Sequence, residues 1–116
     1  MRLKSQSQSK QATSSSLAYR QFVETCKSPA TRDLYVKALG YFMKYLRLGP
    51  NDYDKLLNKD VKMIQMDICD FITAFKNNHS SAAVCTYVAA INKFYSMNDV
   101  ILNWKKINSF QGNVSK

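Results

Sequence analysis

Few side chains in this sequence are suited to catalysis, and many are suited to holding phosphate. The one histidine, His79, has no carboxylate or cysteine partner at ligand or relay spacing. Cys26, Cys69 and Cys85 are odd in number and show no CxxC spacing, so neither a disulfide framework nor a zinc site is indicated. Asp67 and Asp70 stand three apart with nothing nearby to perturb them, which reads as a solvated helix face. With three glycines in the whole chain there is no glycine-rich phosphate loop. No catalytic set, metal site or cofactor is therefore expected. The phosphate-holding set is larger. It comprises Lys37, Lys44 and Arg47, the run Asn77, Asn78, His79, Ser80, Ser81, then Thr86, Asn92 and Lys93, and finally Lys105 and Lys106. In the Asn77–Ser81 run, hydroxyl, amide and imidazole donors stand beside a helix start, where free backbone amides and the helix dipole both favour an anion. Taken singly, each of these residues is equally an ordinary cap or surface lysine.

Charge supports a polyanionic partner. The net charge is +9, made up of +4 over residues 1–27, +3 over 28–59, zero over 60–98 and +2 over 99–116. Clustered lysine and arginine gain free energy by displacing counterions from a phosphate backbone. A solubilising surface with a basic tail accounts for the same numbers.

The positioning elements are helices. Across 116 residues, three glycines and two prolines are too few for the turns of a sheet sandwich, while apolar residues recur at helical spacing. The expected fold is all-α, a compact bundle of four to five helices. Residues 1–16, rich in Ser, Gln and Lys, read as a disordered basic tail. Residues 17–110 form the helical domain, and 111–116 begin a linker. Leu17, Tyr19, Phe22 and Val23 mark a first helix running to about Cys26. Ser28 and Pro29 then open the clearest helix, whose apolar side holds Leu34, Tyr35, Ala38, Leu39, Tyr41, Phe42, Tyr45 and Leu46. Gly49, as a left-handed cap, and Pro50 are expected to stop it. Asp60 caps a helix with Ile64, Ile68, Phe71, Ile72 and Phe75 inward. Ser80 or Ser81 caps another with Val84, Tyr87, Val88, Ile91, Phe94 and Tyr95 inward, and Thr86, Ala90, Asn92, Lys93 and Ser96 outward. A terminal piece turns Ile101, Trp104 and Ile107 inward, with Lys105 and Lys106 opposite.

The series Thr31, Tyr35, Leu39, Phe42, Leu46, followed by an Ile/Phe helix and a Ser-capped helix ending in Ile91, Phe94 and Tyr95, resembles the SAM-like core-binding domain of tyrosine recombinases of the phage-integrase family. The resemblance spans roughly Leu17 to Phe110. The closing residues Asn98, Asp99, Leu102, Asn103, Trp104, Lys105 and Lys106 look most like integrase-type proteins of archaea and their viruses. It implies one half of a clamp around double-stranded DNA, supporting site-specific recombination or integration, with no catalysis by this chain alone. It also implies that the second and last long helices approach DNA, which points to Lys62, Lys76, Thr86 and Lys93. The family's catalytic arginines, lysine, histidines and tyrosine belong to a following domain. That domain would be a partner in cis where the chain is a fragment, and recombinase copies would assemble on the DNA. Asn92 or Thr86 would be the base-reading candidates.

A helical protein-interaction module, docking through exposed tyrosines, Met63, Met66 or Trp104, is the alternative from another class. Attachment of the basic tail to an acidic membrane surface is a third. No run approaches the roughly 20 apolar residues of a membrane span, and the expected location is the cytoplasm.

Overall fold

The computed structural model describes residues 16–111. These form α1 (Leu17–Val23), α2 (Pro29–Tyr45), α3 (Tyr53–Leu57), α4 (Val61–Lys76), α5 (Ser81–Met97) and α6 (Trp104–Asn108), closed by a 3-10 turn at Ser109–Gln111. The described residues contain no strand, so the architecture is the expected all-α bundle. Four helices of 7 to 17 residues do the packing; α3, between α2 and α4, and α6, after α5, have five residues each. The tail expected over 1–16 and the linker over 111–116 lie outside the described residues except at Ser16 and Gln111. Ser16 accepts a hydrogen bond from the Tyr19 N–H and caps α1.

Local chemistry sets the helix starts. Ser28 is extended and accepts from the Thr31 N–H at 3.1 Å, with Pro29 directly after it. Asp60 accepts from the Lys62 N–H at 3.1 Å, and Ser80 from the Ala83 N–H at 3.2 Å. Each such cap stabilises its helix by about 1 kcal/mol. The ends of α2 and α5 share one device. Arg47 and Asp99 both have φ of 64°. The Leu48 N–H returns to the Met43 carbonyl and the Val100 N–H to that of Tyr95, closing two Schellman motifs.

Packing follows the periodicity closely on α4, where Ile64, Ile68, Phe71, Ile72 and Phe75 are all buried. On α5, Val84, Val88, Ile91, Phe94 and Tyr95 are buried, while Tyr87 is half-buried and stacks on Phe75. Phe94 meets Phe22 and Tyr95 edge-on and Tyr53 at a tilt, joining α1, α3 and α5 through one ring cluster. The principal contact is α2 against α5, and Ala38 and Ala90 are fully buried there, their small side chains allowing close approach. At the other edge of α5, Gln21 donates to the Asn98 side-chain oxygen at 2.8 Å and to the Met97 carbonyl at 2.9 Å. Asn98 in turn donates to the Ala18 carbonyl at 3.2 Å.

Several sequence expectations are corrected. Ala90 belongs to the core rather than the outer face of α5, because α2 covers it. On α2 the buried set is Ala38, Leu39, Phe42 and Met43, whereas Leu34, Tyr41 and Tyr45 are exposed. The inward stripe is rotated toward Met43, and the two tyrosines lie along its edge. The left-handed stop of α2 is Arg47 and not Gly49, because the Schellman closure falls directly after the Leu46 cap. Gly49 instead donates its N–H to the Asp52 carboxylate at 2.7 Å. The first helix ends at Val23 rather than near Cys26. In the last segment Ile101 is 88% exposed and Leu102 is buried in its place, a shift of one residue in a stretch too short to show a period. Tyr53, not anticipated in the core, is buried beside Tyr19.

Candidate nucleic-acid interface

Most of the residues singled out for phosphate contact fall in three grooves and one turn, whereas Lys37 on α2 and Arg47 just after it are exposed outside these grooves. The first groove, of about 400 Å³, lies between the α1–α2 connection, α2 and the outer face of α5. It joins Asn92, Lys93 and Ser96 with Cys26, Lys27, Thr31, Tyr35 and Ala89. Among the described residues Lys27 and Lys93 make no ion pair, and no carboxylate lines the groove. Two ammonium groups, a phenol, hydroxyls and one carboxamide thus converge on a shallow concave surface. The Asn92 Oδ1 accepts from the Ser96 hydroxyl at 2.9 Å, which leaves the carboxamide N–H groups to donate outward. Further along the same helix the Thr86 hydroxyl donates to the Ala82 backbone carbonyl at 3.0 Å. That bond directs it along the helix rather than toward a base edge.

The second groove, of about 520 Å³, brings Lys62 of α4 together with Lys106 of α6, beside Gln65, Met66, Cys69, Asp70 and Phe110. Asp70 makes it less favourable to anions than the first. Burial pushes the Cys69 thiol up from its ordinary pKa, with Lys106 lowering and Asp70 raising it to a lesser degree, the opposite of the shift that activates a cysteine as a nucleophile. Lys105 is exposed on the neighbouring position of α6. Lys76 donates from Nζ to the Phe110 carbonyl at 2.8 Å and ties the end of α4 to the C-terminal turn. Its ammonium is therefore a structural clasp before it is a phosphate contact.

The third groove, of about 310 Å³, lies between α2 and α4 and contains Lys44 with Tyr41, Tyr45, Phe71, Ala74, Phe75 and His79. His79 lies flat on Phe75, with ring centroids 3.6 Å apart and planes 8° apart, and its Nδ1 sits 2.9 Å from the Phe75 carbonyl. Because a carbonyl only accepts, that contact assigns the ring proton to Nδ1. Asn78 hydrogen-bonds through its backbone to Phe75, Ser80 is occupied as the α5 cap, and Ser81 is exposed at the first helical position.

Sequence reasoning missed Lys27, Thr31 and Tyr35 as companions of Asn92 and Lys93, since residues more than 50 positions apart meet only through the α2–α5 packing. The openness of Tyr41 and Tyr45 had a signal: two phenols four apart, on either side of Lys44, at the edge of the apolar stripe. Among the described residues no group of three or more His, Cys, Asp or Glu is placed to hold a metal ion, and no helix is long and apolar enough to cross a membrane. No family model, curated protein or solved structure matches the chain.

Proposed function

We propose that this chain binds double-stranded DNA through its phosphates as the core-binding half of a tyrosine-recombinase clamp, leaving strand cleavage to a catalytic domain. The observation that carries the reading is the groove of Lys27, Asn92 and Lys93, where two unpaired ammonium groups and a carboxamide meet on the small-residue face of α5 without a carboxylate. A face of alanine, serine and threonine lets the helix backbone come near a DNA strand, and flanking lysines neutralise its charge. Lys44, Lys62, Lys105 and Lys106 extend the basic surface on neighbouring helices, and the net charge of +9 favours the encounter.

Fluorescence anisotropy with a random duplex across roughly 50 to 200 mM salt tests this. Each phosphate neutralised contributes about −0.9 to the slope of log K against log salt. Lys93→Ala and Lys105→Ala should each weaken binding on every sequence and reduce the slope by about one. Slopes identical to the parent chain would take both residues out of the interface, and no duplex binding at the lowest salt would sink the reading.

The second reading, a protein-interaction module, draws on the exposure of Met63 and Met66 on α4. Loss of a captured partner on Met66→Asp, with duplex affinity unchanged, would favour it.

A further inference from the structure

We infer that the groove between α2 and α4 receives the base of an unpaired nucleotide, stacked among Tyr41, Tyr45 and His79, with the adjoining phosphate on Lys44. Tyr41 and Tyr45 keep 45% and 44% of their surfaces open although they flank the core stripe of α2. Their rings are fixed from beneath. Tyr45 meets Phe71 edge-on at 5.4 Å, and Tyr41 packs against Phe75 and Tyr87 at 6.2 and 5.5 Å. His79 is exposed at the far wall, held parallel to Phe75. The result is a set of immobilised aromatic rings around a space of about 310 Å³, at the small end of the range for pockets that take planar ligands.

The occupant is chosen by charge. Lys44 lines the groove and no carboxylate does, so a ligand pairing an aromatic ring with an anion fits better than a neutral apolar segment. A second copy of this chain would bring two molecules of net charge +9 together with a lysine on each face. A nucleotide supplies both the ring and the anion, and stacking tolerates any base because every base has a π-face. The inference rests on the proposed function only for the sign of the partner's charge. Gripping a duplex by its phosphates and stacking an unpaired base share Lys44 alone; the aromatic rings belong only to the base site, so the two readings fail separately.

The test titrates the full chain into three fluorescein-labelled probes read by anisotropy: an oligothymidylate of about 12 residues, its abasic counterpart, and a duplex of the same length. The oligothymidylate should bind about ten-fold tighter than the abasic strand. Tyr41→Ala and Tyr45→Ala should each remove about ten-fold from that affinity while leaving the duplex alone. Tyr45→Phe, which keeps the ring, should behave as the parent chain. Lys44→Ala should weaken oligothymidylate and abasic strand alike. Equal affinity of the parent chain for those two strands overturns the inference without any variant, and so does Tyr45→Ala binding oligothymidylate as the parent does. Dimerisation in sedimentation that Tyr45→Ala abolishes also overturns it, by assigning the groove to a second copy. Duplex binding without base preference sinks this inference and spares the clamp. Oligothymidylate binding without duplex binding does the reverse.

Discussion

The polar groove at Lys27 and Lys93 and the aromatic groove at Tyr45 and His79 both lean on α2, yet they are supported differently. The floor of the aromatic groove is Phe71 and Phe75, which are also core residues packed with Phe42 and each other. The polar groove is assembled from a loop lysine, the first turns of α2 and the outer face of α5; none of its members is fully buried, and Tyr35 is the one that packs against the core. One site is the edge of the hydrophobic interior and the other is laid over it. Chemistry in the first is tied to stability, while in the second it is free to vary.

Unfolding measurements can break that distinction. The largest effect should come from Phe71→Ala, which removes the aromatic floor and costs about 3–5 kcal/mol in urea denaturation. If it costs no more than Lys93→Ala, which should stay within about 0.5 kcal/mol, the two grooves do not differ as argued. Next comes alkaline pH. Tyr53 lines neither groove, and burial, reinforced by Tyr19, pushes its phenol up to about 12 from 10.0. The folded state therefore holds its proton where the unfolded chain releases it. The associated stability is complete below pH 10 and is lost as pH rises from 10 toward 12, to an extent of about 3 kcal/mol. Tyr53→Phe should flatten this part of the pH profile, and an unchanged profile would place the alkaline loss elsewhere. Smaller than either of these losses is the one expected of Ser80→Ala. It removes the α5 cap at the turn carrying His79 and should lower stability by about 1 kcal/mol in thermal melts. The same substitution should loosen the aromatic groove before the polar one.

The sequence was most legible where one face alternated cleanly with another. On α4 Ile68, Phe71, Ile72 and Phe75 each stand beside an Asp, Thr or Lys, so the inward face could be read residue by residue. The caps at Ser28, Asp60 and Ser80 were equally visible, because a side-chain acceptor before an apolar run has one obvious task. On α2, tyrosine and methionine blurred the stripe, since a phenol is stable at a wet edge and Met43 packs as readily as leucine. Ile101 and Leu102 are interchangeable by type, and only the turn after Asp99 decides which enters the core. The polar groove was the least legible: Lys93 and Asn92 were found singly, but Lys27 joins them through tertiary packing alone.

The Gln21–Asn98 bridge has a mechanical consequence. α1 has seven residues and could not persist as an isolated helix. It is held by Phe22 in the core and by the carboxamide pair that fastens it to the end of α5. Tension applied at Ser16 is therefore carried across the molecule to the last turn of α5, bypassing α2 and α4. α1 is a latch whose release would uncover Phe94 and carry with it the α1–α2 connection that brings Lys27 to the polar groove, while the aromatic groove between α2 and α4 has no residue from α1.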